Sequence, residues 1–498
     1  MSAFEPELDT NTRAELVKQE SFSGRLPLRI GEREYKTVGA HATCFAYAVA
    51  TWCFLTGGFT AELVGAVEGM VCLIAGNLLG CFLVTMPLSL GCQRYGIEQI
   101  DFCKPAFGQR GAKVVLIFYV INMIGWSGLI LVMFGNGIRN ILHALGYSPG
   151  GWIVGAGVAL GIWITYLIVT RGVHLLNLSN AFITPGIGIL VAFMFYVLFT
   201  EYGWEAISNA KPLNPGPSPT INYIIALELG IANGYSWWGG IGFIARNTNS
   251  RRNAVYPQLL HLGLSAGVVC TVALFSALVV QSDDPTEWMV PIGGLVVGVL
   301  ALAFVALANI TSTAVSLFAT GLALRHIPAL RVKTWRTIIL LTIVPCLPFV
   351  FWPAQLYDLG DAYLAYNGTM HGPIAGILFV DFLFLRKQRL SLWSIFDDDA
   401  GREYHYEKGF NWPSIVSVVA GQASYFFLYN PITNQTHDLT RFLPASIAAF
   451  ALPAALYWIL MRIAALRERR AALETGIAAA DIQAGPQRTG RPLLRPNI

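Results

Sequence analysis

The chain has 498 residues, of which 55% are hydrophobic and 12% charged, and its mean hydropathy is +0.55. Soluble domains carry about 25% charged residues, so this composition excludes a disordered chain, a coiled coil and a string of soluble domains, and leaves a polytopic membrane protein. The net charge of +4 says little by itself; the distribution of that charge says more.

The first 36 residues mix acids and bases and contain no apolar core. No cleavable signal peptide is therefore expected, and the first apolar run serves as the insertion signal. A bilayer core takes about 20 apolar residues per helix. By that measure there are twelve runs, at roughly 37–60, 66–92, 113–142, 151–170, 177–200, 222–245, 258–281, 290–324, 336–357, 362–385, 411–429 and 441–463. The two longest exceed one straight span, and the excess is expected to tilt or to project beyond the bilayer. With twelve spans, 30 of the 33 Lys and Arg fall on one side, and Arg139, Lys211 and Arg441 remain on the other. A miscounted span would scramble that split, so the charge bias predicts both termini in the cytoplasm. The Arg- and Ala-rich stretch after Ala464 is expected to prolong the last helix and then to lie disordered near anionic lipid. The eight cysteines form neither CxxC pairs nor metal-type clusters, and they read as small hydrophobes.

Polar residues in lipid are costly, so their positions are informative. Span one contains Ala50-Thr51-Trp52-Cys53-Phe54-Leu55-Thr56-Gly57-Gly58, and span six contains Gly234-Tyr235-Ser236-Trp237-Trp238-Gly239-Gly240. Each sets Trp near a Gly-Gly pair, which predicts interrupted helices with freed backbone groups. Interrupted spans at corresponding places in two halves point to a transporter site. An offset of five spans implies two inverted five-helix repeats. The alternative is that these glycines allow helices to pack closely. Span eight carries Ala308-Asn309-Ile310-Thr311-Ser312-Thr313; its hydroxyls read either as oxygen ligands for a small hard cation or as helix–helix glue. In span three, Asn122 lies one turn before Gly125-Trp126-Ser127-Gly128. The Trp126 indole, flanked by small residues, offers a face on which a planar ligand can stack; ordinary packing is the competing reading. Glu228 in span six reads as a vestibule residue, with a proton carrier as the alternative, and Asp381 as the partner of the basic end at Arg386. No Walker A motif, HExxH motif or ladder of intramembrane charge is present, so ATP drive, zinc hydrolysis and voltage sensing find no support. Asn367-Gly368-Thr369 and Asn434-Gln435-Thr436 match the glycosylation pattern only as three-residue motifs.

Four stretches resemble the nucleobase–cation symporter family 1, the purine, cytosine, thiamine, allantoin and hydantoin permeases. They are Trp52 to Gly58, Gly125 to Gly128, Asn309 to Leu322, and His371-Gly372-Pro373 through Asp381 to Arg386-Lys387. The resemblance implies an all-α polytopic, leucine-transporter-like fold with 12 transmembrane helices, in two inverted five-helix repeats plus two extra helices. The corresponding divisions are a cytoplasmic tail at 1–36, repeat one at 37–200, repeat two at 222–385, helices eleven and twelve at 411–463, and a second tail at 464–498. The family's substrate lies between spans one, three, six and eight. Carried over residue by residue, Trp126, Trp238 and Gly239, with Trp237 as the alternative, would hold a heterocycle; Phe54, Asn122 and Ser236, from the polar stretches of spans one, three and six, are the further candidates. Thr311 and Ser312 hydroxyls with carbonyls of Ala308, Ala50 and Cys53 would hold Na⁺. Three positions depart from the pattern: Ile130 and Leu317 stand where some members have polar substrate ligands, and Gly242 to Arg246 lacks a late span-six Asp. The expected function is a symporter importing a neutral planar nitrogen heterocycle with Na⁺ or H⁺ in the cell membrane, with no cofactor, nucleic-acid partner or enzymatic activity. An amino-acid or amine transporter on the same fold and a passive channel are the alternatives.

Overall fold

A computed structural model describes residues 27–171, 173–397 and 403–474. The expected disordered, Arg-rich end of the chain and most of the N-terminal tail lie outside these residues. The principal helices are α1 (Thr37–Ala48), α2 (Trp52–Leu63), α3 (Ala66–Tyr95), α4 (Gln99–Phe107), α5 (Gly111–Ala144), α6 (Trp152–Thr170) and α7 (Val173–Val197). They continue as α8 (Gly203–Asn209), α9 (Pro219–Ser236), α10 (Trp238–Arg246), α11 (Arg251–Pro257), α12 (Ala266–Val280) and α13 (Met289–Leu324). The last are α14 (Trp335–Ile343), α15 (Gly360–Phe379), α16 (Trp412–Leu428) and α17 (Ala445–Glu474).

Every apolar run coincides with helix, although not always with one helix. Among the described residues eight helices are long and apolar enough to cross a bilayer, or nine when α1 and α2 are counted as one bent span. Span six is divided between α9 and α10. Span nine breaks into short turns after α14 because Pro345, Pro348 and Pro353 withdraw three N–H donors in quick succession. Span seven begins in α11 and passes through a π-helical stretch, Gln258–Ser265, before α12. The long run of span eight kinks at Gly294 (φ 71°, ψ 177°), a conformation that favours glycine.

The interruption in span one is real, but the glycines do not cause it. The chain bends by 46° between α1 and α2, at Val49 (φ −93°, ψ 71°), whereas Gly57 and Gly58 lie inside continuous α2. A Cβ on Gly57 would run into the Cys270 carbonyl and Ala273 of α12, and one on Gly58 into the Asp283 carbonyl. Here the glycines allow close packing. In span six the break is at Trp237, ahead of Gly239 and Gly240, which lie inside α10. The residues 48–51 are Ala-Val-Ala-Thr and contain no helix breaker, so the break there is set by the surroundings of the segment.

The helices pack as α9 on α3, α5 on α13, α2 on α12, and α15 and α16 on α17. The α3–α9 contact is the closest in kind: Gly76 faces Gly230, and Gly80 faces Gly234, two small-x-x-x-small patterns set against each other. Leu78, Leu79 and Phe82 on α3, Val296 and Leu300 on α13, and Phe427 on α16 are exposed, as a lipid-facing surface requires. All eight cysteines are buried and unpaired.

Candidate substrate site

The polar residues that the chain carries into the membrane meet in two places. The first is beside the breaks in spans one and six. The Thr56 hydroxyl is 3.2 Å from Asn233 Oδ1, Asn233 Nδ2 donates to Asn77 Oδ1 at 2.9 Å, and Trp237 Nε1 donates to the same oxygen at 3.2 Å. Trp237 sits edge-on to Trp52, ring centroids 5.9 Å apart. Asn77 and Asn233 were not singled out in the sequence; a lone amide in the middle of an apolar helix was the available signal.

The second place is where α5, α10 and α15 converge. Trp238 is fully buried, between His371 of α15 (centroids 5.5 Å, planes 27° apart) and Tyr119 of α5 (6.0 Å). Trp126 is also buried, and the Tyr363 ring meets it edge-on at 5.8 Å. Gly125 and Gly128 make room on α5 for the rings of Tyr363 and Phe349. The Tyr363 hydroxyl is shared by the Asn122 carbonyl and, at 3.0 Å, Asn122 Oδ1. The structure thus groups Trp126 and Asn122 with Tyr363, and Trp238 with Tyr119 and His371, as two contacts along α5 and α15; the sequence reading did not assign Tyr119, Tyr363 or His371 to the site. A Tyr, an Asn and a His spaced four apart along an otherwise apolar span were the legible signal for α15.

The other expected substrate residues are placed differently. Gly239 packs under Tyr119 and Met123 of α5, and its carbonyl accepts Gln99 Nε2 at 2.8 Å. Phe54 is buried with its ring edge against Trp288, and the Ser236 hydroxyl turns back to the Asn233 carbonyl at 2.6 Å. Trp237 is held at the break by Asn77, as above. The expected cation ligands bond locally: Thr311 Oγ1 donates to the Ala308 carbonyl at 2.9 Å, the Ala50 carbonyl accepts the Cys53 N–H at 3.1 Å, and Cys53 Sγ donates to the Ala48 carbonyl at 3.2 Å. Ser312 is half-buried. Beside these groups, the amide of Asn309 is buried with neither polar atom partnered. Hydroxyls and carbonyls are the donor chemistry of a hard cation, and the Thr311 hydroxyl and these carbonyls keep oxygen lone pairs beyond their local bonds.

Glu228 is not a vestibule residue. Its carboxylate accepts the Ser446 N–H at 2.9 and 3.0 Å, and also the Ser446 hydroxyl. It therefore caps the first turn of α17, where the helix dipole favours an anion. Asp381 accepts Arg386 Nε at 2.8 Å and the Tyr457 hydroxyl at 2.7 Å. Arg386 continues to Glu403 at 2.7 Å and to the Pro105 carbonyl at 2.8 Å. The Asp-then-basic motif therefore ties the end of span ten to α4 and α17. Asn367 lies buried within α15 and so cannot be a glycosylation acceptor.

The sequence pattern of permeases for cytosine/purines, uracil, thiamine and allantoin matches residues 34–441. The purine-uracil permease of Arabidopsis thaliana is 24% identical over 79% of this chain and 69% of its own length. The hydantoin permease of Microbacterium maritypicum is 22% identical over 87% and 88%. Among solved structures, the inward-facing conformation of Mhp1 superposes with a TM-score of 0.73 at 20% identity, over 88% of this chain and 94% of Mhp1. Its closed conformation with bromovinylhydantoin bound, described as a nucleobase-cation-symport-1 family transporter, gives 0.70 at 19%, over 88% and 96%. The fold is thus all-α and leucine-transporter-like, and the chain belongs to the family of permeases for cytosine/purines, uracil, thiamine and allantoin.

Proposed function

We infer that this protein is a secondary-active symporter that carries a neutral planar nitrogen heterocycle across the membrane. The observation that carries the reading is the junction of α5, α10 and α15, where the Trp126 and Trp238 indoles lie at membrane depth beside amides and an imidazole. Indole faces stack on flat rings, and convergent polar groups hold the ring edges. The relatives' names, purine-uracil permease and hydantoin permease, support the same chemical class. Coupling is to Na⁺ or H⁺. The donor set of Thr311, Ser312 and the Ala308, Ala50 and Cys53 carbonyls favours Na⁺, while Glu228 is occupied in capping α17. Breaks in spans one and six, five spans apart, support two inverted repeats (37–200 and 222–385) that rock about the site. The charge bias supports cytoplasmic termini in a plasma membrane.

The test is ligand binding by the purified protein. Trp126→Ala removes the stacking face and is expected to weaken binding of uracil, hypoxanthine or hydantoin by about ten-fold or more, while the protein still inserts and elutes as the wild type does. Wild-type affinity in that variant would contradict the reading.

A further inference from the structure

We propose that span ten supplies the edge-recognising half of the substrate site. In this proposal, Asn367 and His371 on α15, with Asn122 and Trp238 opposite, read the lactam edge of the ring, an N–H beside a C=O. The proposal rests on the heterocycle reading above and narrows it to a kind of ring.

Tyr363, Asn367 and His371 lie on successive turns of α15. Tyr363 packs against α5 at Asn122 and Trp126, and His371 stacks on Trp238 of α10. Asn367 lies between them, and its Nδ2 donates to the Tyr363 carbonyl at 3.1 Å. That bond fixes the amide orientation and leaves Oδ1 free. Among the described residues, Asn367 Oδ1, both ring nitrogens of His371 and Trp238 Nε1 are buried without a hydrogen-bond partner, in residues with no exposed surface. Tyr363 has one hydroxyl hydrogen to share with Asn122, and one of the Asn122 amide atoms, Nδ2, is also unpartnered.

Each orphaned polar atom costs about 1–3 kcal/mol when buried, so a chance cluster of them on three different helices would be a heavy burden on the fold. Such groups find partners in water or in a ligand. A neutral imidazole offers one donor and one acceptor. With the Asn367 acceptor and the Trp238 donor, the set is balanced: two donors and two acceptors, from adjacent turns of α15 and from α10. A lactam edge is complementary to this set. A carboxylate alone, which only accepts, would leave Asn367 Oδ1 and one His371 nitrogen without partners.

The test compares uracil and hydantoin with their N-methyl forms, each of which lacks one N–H, in uptake by proteoliposomes. Wild type is expected to discriminate against the N-methyl ring by about ten-fold or more in KM, the penalty of unpairing a buried acceptor. Asn367→Ala removes both the acceptor and the clash with the methyl group, and His371→Phe keeps the stack on Trp238 while deleting both nitrogens. In at least one of these variants the discrimination should fall to about two-fold. A purely structural role would lower uptake of all rings in proportion and leave the ratio alone. An unchanged ratio in both variants therefore overturns the assignment of span ten while leaving the heterocycle reading intact. Failure of the wild type to take up any lactam ring would overturn the heterocycle reading, and this proposal with it.

Discussion

At the scale of single residues, the buried polar groups serve two purposes. Glu228 and Asp381 fasten helices, and their partners account for them: Ser446 for one, Arg386 and Tyr457 for the other. Glu228→Ala would leave the Ser446 N–H without its acceptor and α17 without its capping anion. A loss of about 2 kcal/mol of stability is expected, with a smaller loss for Glu228→Gln, and with KM for substrate unchanged in both. Thermal unfolding in detergent and uptake kinetics check this. A shifted KM at wild-type stability would return Glu228 to the transport path. His371 and Asn367 are of the second kind, because no group among the described residues partners their free atoms. The distinction was not legible in the sequence, where Glu228 looked more functional than Asn367. Depth along a span can be read from the residues; the partner across the bundle cannot.

At the scale of elements, the glycine pairs show how one sequence feature can carry two meanings. Interrupted helices in spans one and six were expected from Gly57-Gly58 and Gly239-Gly240, and both spans are interrupted. Yet the breaks precede the pairs, and the glycines admit Cys270 and Ala273 in one case and Tyr119 and Met123 in the other. The pattern marked the right segments because the places where a broken helix must turn are also places where neighbours come close. The connection between α12 and α13 has its own chemistry. Asp284 accepts Asn136 Nδ2 of α5 at 2.8 Å, and also the Thr286 N–H at 2.9 Å and the Thr286 hydroxyl at 2.7 Å. Burial pushes its carboxyl up to about 6. The folded protein therefore holds this proton to a higher pH than the unfolded chain, which releases it near about pH 4. The folded state binds more protons in that window, so stability declines as pH rises from about 4 to about 6 and is level above, by at most about 3 kcal/mol. Asp284→Asn should flatten that slope in a melting-temperature series across the window. An equal slope in the variant would assign the dependence to another group.

At the scale of the whole molecule, the all-α membrane class and the family were legible in composition, apolar run length and a few short motifs, whereas eight or nine helices among the described residues meet the length and apolarity of a span where twelve runs were expected. The membership of the site was legible only in part. Trp126 and Asn122 meet Tyr363, and Trp238 meets His371 and Tyr119; whether they hold a substrate is what the Trp126→Ala test decides. Phe54 and Ser236, from the Trp and Gly-Gly stretches of spans one and six, here turn to Trp288 and Asn233. A contribution from span ten depends on three helices meeting, and no local pattern states that. The central claim is that this junction serves a carrier and not a passive pore. The most direct measurement is uptake of labelled uracil, hypoxanthine or hydantoin into proteoliposomes under an imposed Na⁺ or H⁺ gradient. A symporter accumulates at least one of them above the outside concentration, and loses the excess when an ionophore collapses the gradient. Equilibration to the outside concentration and no further, under either gradient, would contradict the account.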